Sequence, residues 1–236
     1  MRSCRETIRA ALHRLGFSWK KAKKLLGRAD PEKRRACLAR VRRLLADARR
    51  GRHLLVYWDE AHIHRDTDLG HGWAERGRRL WIASSSPGLA AKLSFYGLYV
   101  DTEGTVRLWP YRRANGTHTT KALRRLRPQQ PDRPLLVLGD GAAYHRAACV
   151  RAAAARLGIK LVPLPGYSPD FMPVAALWRW LREDVAYRSC HPTADDLARR
   201  VAAFEARVNR DPHTVANRLR VKRRPDPNEE KLRFSN

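Results

Sequence analysis

The chain is short of acids and sparing with sulfur. Only 23 of its 236 residues are Asp or Glu, against 49 Lys or Arg, so the formal net charge is +26 at pH 7. Cys4, Cys37, Cys149 and Cys190 lie far apart with no C-x-x-C pair. That spacing excludes a zinc knuckle or a redox dithiol and predicts four reduced thiols packed as small hydrophobes. No run of 18 or more apolar residues occurs, which excludes a membrane-spanning helix, and there is no lipidation signal. The opening "MRSCRETIRAALHRLG" lacks the apolar core and small-residue cleavage site of a secretory leader. A cytoplasmic protein is expected. No internal repeat is visible.

What the chain has in excess is positive charge spread along its whole length. Such an excess needs a polyanion to neutralise it, and nucleic acid is the expected one; an anionic membrane surface is the competitor.

Hydrophobic periodicity orders the elements. Residues 5 to 15, "RETIRAALHRL", put Ile8, Ala11, Leu12 and Leu15 on one helical face with basic residues opposite, and Gly16 ends the helix. After the basic connector "SWKKAKKLLGRADPEKRR", "CLARVRRLLADARR" repeats the helical stripe. The pattern changes at residue 54. "LLVYWDEA" is a short continuous apolar run ending in acids, the signature of a central buried strand. "RRLWIAS" and "KLSFYGLYV" read as further strands, and the turn "DTEG" leads into another, "TVRLWPY". "THTTKALRRL" reads as a helix capped by Thr117 or Thr119, "PLLVLGD" as a buried strand, "HRAACVRAAAARLG" as a helix closed by Gly158, and "KLVPLP" as a strand. Helices are expected over 173–187 and, capped by Thr193, over 194–209; the basic tail from 210 is expected to be mobile. A meander followed by alternating helix and strand suits an α/β fold, one mixed sheet flanked by helices.

Acids sit at strand ends. Asp59 and Glu60 follow the first buried run, and Asp140 follows "LLVLG". If these two strands pair, Asp59 and Asp140 come together, and a divalent cation with a preference for hard oxygen ligands, magnesium or manganese, is the usual way to keep both ionised. Capping of turns is the competing role for either residue alone.

Three blocks in order, "VYWDEAHIH" with "LGHGWAERGRR" downstream, "VLGDGAAYH", and "LPGYSPDFMPVAALW", resemble the signature blocks of mariner-type DDE superfamily transposases, in the branch encoded by bacterial insertion sequences. The resemblance covers roughly residues 50 to 190. It implies a ribonuclease H-like catalytic domain with a five-stranded mixed sheet, Mg2+ or Mn2+ as cofactor, double-stranded DNA (element ends and target) as partner, a possible homodimer on DNA, and DNA transposition by strand cleavage and strand transfer. Asp59 matches the first catalytic acid and metal ligand, and Asp140 the second. The family's third acid follows the second after 34 intervening residues, which is position 175, and here it is Ala175. Tyr167, Ser168, Pro169, Asp170 and Pro173 match the block around it, whereas Met172 stands where the family often has Asn.

The elbow therefore resembles a device for aiming a helix-borne carboxylate, with the carboxylate replaced by a methyl group. Asp170 is read as a cap for the following helix. Glu183 and Asp184 lie about two turns beyond 175, roughly 12 Å along the axis, too far to substitute. Glu60 is expected to orient the site from behind Asp59 rather than to bind metal itself. The chain is thus expected to be catalytically impaired, and a non-catalytic DNA-binding remnant of a transposase is the alternative.

"TIRAALHRLGFSWKK" resembles the end of a helix-turn-helix module with part of a wing, so residues 1–50 are expected to be a truncated DNA-binding piece plus linker helix, 51–209 the catalytic domain, and 210–236 the tail. Arg5, Arg9, Arg14, Lys20 and Lys21 are candidate phosphate contacts, though a lone helix cannot brace itself in a major groove. A zinc-dependent hydrolase using His62, His64 and Asp66 of "HIHRD" is a less favoured reading, because the other histidines form no second ligand motif.

Overall fold

The computed structural model describes residues 4–18, 31–70, 73–88, 90–113, 115–165 and 171–219. Its centre is β1 (Leu54–His64), flanked by β2 (Lys92–Val100) on one side and β4 (Leu135–Gly139) on the other. With β3 (Thr105–Tyr111) and β5 (Ile159–Pro163) outermost, the five-stranded sheet has the order β3-β2-β1-β4-β5. β1 pairs antiparallel with β2 and parallel with β4, so the sheet is mixed as expected.

The continuous apolar run of β1 follows from its position, because helices cover both faces and no side is left for water. Leu55, Tyr57, Ala61 and Ile63 enter one core with α2 (Pro31–Arg49), α5 (Val174–Leu181) and α6 (Ala194–Val208). Leu54, Val56 and Trp58 alternate into the other, under α3 (Gly116–Leu126) and α4 (Ala148–Arg156). A ribonuclease H-like architecture results. Among the described residues no helix is long and apolar enough to cross a membrane.

Several expectations are corrected. "RRLWIAS" forms no strand: β1 runs on to His64 and pairs with Lys92, so the ladder passes directly from β1 to β2, and the described residues between them add no strand to the sheet. Trp81, 81% exposed, points away from any core. α3 is capped by Asn115, whose side chain accepts from His118 N, while Thr119 is buried beside the Tyr96 hydroxyl at 3.0 Å. Thr193 caps α6 as expected, in a reciprocal box with Asp196. Gly16 and Gly158 both take positive φ just past helix ends.

The ends of the chain also differ from the sequence reading. α1 (Arg5–Arg14) buries nothing, but α2 docks Val41 and Ala48 into the main core, so the core reaches in front of residue 51. Beyond 209, α7 (Pro212–Arg218) forms with Asp211 as its cap, and Val215 and Leu219 are fully buried. That part of the tail is therefore held by packing; residues 220–236 lie outside the described residues.

Candidate active site

Strand alternation sorts the acids. Asp59 and Glu60 do not end β1, which continues four residues past Glu60 to His64, and as neighbours on a strand they project to opposite sheet faces. Asp59 follows Tyr57 toward α5; Glu60 follows Trp58 toward α4. The parallel ladder pairs Tyr57 with Leu138, and the same register, two residues on, sets Asp59 beside Asp140. The register leads the two acids out at the same end of the sheet, while the Asp140 carboxylate itself converges with Glu60 and His145.

Asp59 lies opposite Gly97 of β2. A Cβ on Gly97 would stand 2.5 Å from Trp178 Cζ2 and 3.1 Å from Val174 Cγ1, so the absent side chain is what lets α5 lie against the sheet here. Trp178 then donates its indole N–H to Asp59 Oδ2 at 3.0 Å. Burial, with the Glu60 charge next, pushes the Asp59 carboxyl up to about 6, and the nearby Asp140 charge adds to the rise.

Asp140 is held differently. Its carboxylate accepts from His145 Nδ1 at 3.0 Å and from Ala142 N at 3.1 Å, and the His145 hydrogen bond draws its pKa below the usual carboxylate range. The 3-10 turn Ala143–Arg146 folds the chain back to make this contact. His145 Nε2 donates to Glu60 Oε1 at 2.7 Å, Trp58 Nε1 donates to the same oxygen at 2.9 Å, and Tyr144 OH donates to Glu60 Oε2 at 3.0 Å. Burial alone would lower the His145 pKa, but the hydrogen bonds to Asp140 and Glu60 raise it to about 10, an imidazolium clamped by two carboxylates.

Ala175 is exposed in the first turn of α5, three residues before Trp178, with its amide bonded to Met172 O at 3.1 Å. It brings no donor to the site. Phe171 and Met172 are buried, and Pro173 begins the helix without a side-chain cap. Tyr167, Ser168, Pro169 and Asp170 lie outside the described residues, and with them the expected Asp170 cap. Glu183 and Asp184 are occupied elsewhere, paired with Arg218 at 3.0 Å and Arg207 at 2.6 Å.

The zinc-hydrolase reading fails on geometry. His62 Nδ1 pairs with Ser94 Oγ at 2.9 Å, and Asp66 accepts from Thr67 N and from Ser84. Among the described residues the group whose ligand atoms converge is Glu60, Asp140 and His145, not His62, His64 and Asp66. Arg5, Arg9 and Arg14 are exposed on α1, with Arg9 3.5 Å from Glu6; Lys20 and Lys21 lie outside the described residues.

Sequence reasoning missed Trp178, Gly97 and the His145 clamp. His145 stood in the quoted block "VLGDGAAYH", and its step of five from Asp140 was the available signal. The donor chemistry fits a hard dication: two adjacent carboxylates, one of them buried and hard to ionise, leave negative charge that such an ion would neutralise. Asp59 and Asp140 would hold it.

A family model described as DDE superfamily endonuclease matches residues 54–198. Among solved structures, the Mos1 strand transfer complex superposes with a TM-score of 0.68 at 17% identity, covering 98% of this chain and 69% of that one. The Mos1 mariner paired end complex with Mn gives 0.62 at 19% identity, with 91% and 68% covered. The catalytic domain of Mos1 mariner transposase gives 0.51 at 17% identity, with 86% and 94% covered. At these identities the likeness is one of fold. No curated protein sequence matches the chain.

Proposed function

Because the chain belongs to the DDE superfamily endonuclease family, we propose that it is the catalytic domain of a DNA transposase of the mariner type, from the bacterial insertion-sequence branch, catalytically impaired by the alanine at 175. The observation that carries this reading is the parallel β1–β4 register, which leads Asp59 and Asp140 out at the same end of the sheet, with α5, the helix of position 175, tied to Asp59 through Trp178. The family blocks around these residues support the branch, and the Mos1 structures solved with Mn and with Mg support the cofactor.

Asp59 and Asp140 would hold magnesium or manganese, which when bound supplies Lewis acidity at a phosphate oxygen and lowers the pKa of its water. This chain's own residues do the positioning. Trp178 fixes one Asp59 oxygen, His145 and Ala142 N fix Asp140, and Glu60 orients His145 from the far side of β1. Ala175 leaves the site one carboxylate short.

Duplex DNA is the proposed partner: the chain carries +26, and Mos1 has been solved as a paired-end complex with its left transposon end. Exposed Arg5, Arg9 and Arg14 are proposed phosphate contacts, and a cytoplasmic protein that acts as a homodimer on DNA completes the reading. A non-catalytic DNA-binding role is the second reading, favoured by Ala175 itself. Restoring the acid decides between a working site with one part missing and a scaffold: Ala175→Glu should gain metal-dependent nicking of supercoiled plasmid, and its silence in a folded, DNA-bound protein would contradict the transposase reading.

A further inference from the structure

Positive charge gathers at the start of α6, on the sheet face that carries Asp59: Leu197 and Val201 of α6 enter the same core as Tyr57 and Ala61 of β1. A cavity of about 570 Å³ opens there between the 188–192 segment and α6, lined by Arg188, Arg199 and Arg200 against one carboxylate, Asp196. Asp196 is engaged by Thr193 and Arg199. Arg188 and Arg200 are exposed and have no acid partner among the described residues.

The segment is pinned on several sides. Arg65 donates Nε to His191 O at 3.1 Å and a second N–H to Pro192 O, and His191 N donates back to Arg65 O at 2.8 Å. His191, only 4% exposed, donates Nε2 to Val185 O at 3.0 Å. Arg188 takes a φ of 61°, a left-handed backbone that side chains rarely adopt, with its amide 3.4 Å from Asp68 O. An arginine kept in a conformation that suits glycine is an outlier of the kind that marks a working side chain.

We propose that this groove seats DNA phosphates, with Arg188 and Arg200 holding the backbone of a duplex that runs on to the Asp59 end of the sheet. The inference rests on the reading of the chain as a transposase domain that binds duplex DNA. Arg65, which anchors the segment, directly follows β1, six residues past Asp59. At about 3.3 Å per residue, roughly 20 Å separate anchor and acid, the length of about six base pairs. Guanidinium forks suit phosphate oxygens, and phosphate contacts fix the register of a duplex without reading its sequence. The groove lies away from position 175 and needs no metal, so it orients DNA in a chain whose cleavage is impaired.

The test uses the full chain and a short random-sequence duplex. Fluorescence anisotropy across a salt series compares the parent with two double variants that each remove two positive charges. One is Arg188→Gly with Arg200→Ala, glycine keeping the left-handed backbone; the other is Arg124→Ala with Arg156→Ala, exposed arginines of α3 and α4 on the opposite sheet face. The first should make the log-log slope shallower by about 1.8, as two phosphate contacts are lost at about 0.9 each, and the second should leave it unchanged. A second readout needs no substitution. Cys190 lines the groove and Cys149 is exposed on α4, so saturating duplex should slow maleimide labelling of Cys190 and leave Cys149 as reactive as before. If the first variant fails to fold, labelling of the parent decides alone. Equal slope changes in the two variants, Cys190 labelled as fast with DNA as without it, or both cysteines protected alike would each overturn the inference while leaving DNA binding standing. A parent that binds no duplex contradicts both.

Discussion

Trp178 Nε1 donates to Asp59 Oδ2 at 3.0 Å, so the helix that carries position 175 is anchored to the first acid of the candidate pair. Residues three apart lie on neighbouring parts of one helical face, and side chains lean toward the helix N-terminus, so a side chain at 175 covers the end of the helix nearest the Pro173 start. Position 175 therefore rides on the helix that Trp178 ties to Asp59.

That anchoring depends on Gly97. Gly97→Ala places a methyl 2.5 Å from Trp178 Cζ2 and 3.1 Å from Val174 Cγ1, so α5 must retreat from the sheet. Overpacking of this kind costs about 1–3 kcal/mol. Denaturant unfolding should show that loss together with weaker Mn2+ binding, as Asp59 loses its indole partner. Unchanged stability would mean that α5 does not pack here.

The Asp59 pair sets a pH dependence. With its carboxyl raised to about 6 by burial and the Glu60 charge, Asp59 holds its proton more tightly folded than unfolded. Its ionisation thus costs the apo protein stability as pH rises from its ordinary range of about 4 through 6. Metal binds the ionised form, so the rise in Tm produced by Mn2+ should be small at pH 5 and grow through pH 7. Thermal melts with and without Mn2+ across that range provide the check, and a shift independent of pH would contradict the assignment.

His145 predicts the opposite trend. Its folded pKa of about 10 exceeds its unfolded value, so its contribution is fully present below about 6.5 and is lost as pH climbs through 10. The Tm gap between the metal-free parent and His145→Asn should be widest near pH 6 and close by about pH 10. Removing one partner of a buried pair costs roughly 3–5 kcal/mol, an upper range here because Asp140 is half-exposed. A gap that persists at high pH would show that packing rather than charge holds this cluster.

Much of this was legible in the sequence, for physical reasons. The run "LLVYW" named the central strand because both its faces are covered, and capped or glycine-ended helices such as α6 announced themselves locally. "RRLWIAS" misled because β propensity cannot tell a strand from an extended loop until the ladder is known, and β1 takes β2 directly as its partner. At the site, the motif spacing singled out Asp59, Asp140 and Ala175, and the β1–β4 register leads the first two out at the same end of the sheet. Trp178, Gly97 and the His145 clamp on Glu60 could not be read that way. Their roles arise from α5 crossing β2 at Gly97, and from β1 continuing past Glu60 so that alternation turns it away from Asp59.

The net charge of +26 predicts binding to random duplex DNA that weakens steeply with salt, as bound phosphates release their counterions. Fluorescence anisotropy across a salt series reads the slope. A log-log slope near zero, or no binding at low salt, would remove nucleic acid as the partner.

The most direct test of the account is plasmid nicking on restoring the third acid. Two carboxylates can tether one ion, but holding a second beside a scissile phosphate takes another negative ligand, and an acid in the first turn of α5 is also favoured by the helix dipole. Supercoiled plasmid should be converted to open circle with Mg2+ or Mn2+ by Ala175→Glu, orders of magnitude faster than by the parent. Ala175→Gln, which restores length without charge, and the Asp59→Asn, Ala175→Glu double variant should both stay silent. Nicking by the parent equal to that of Ala175→Glu, or nicking by Ala175→Glu that survives the loss of Asp59, would contradict the account.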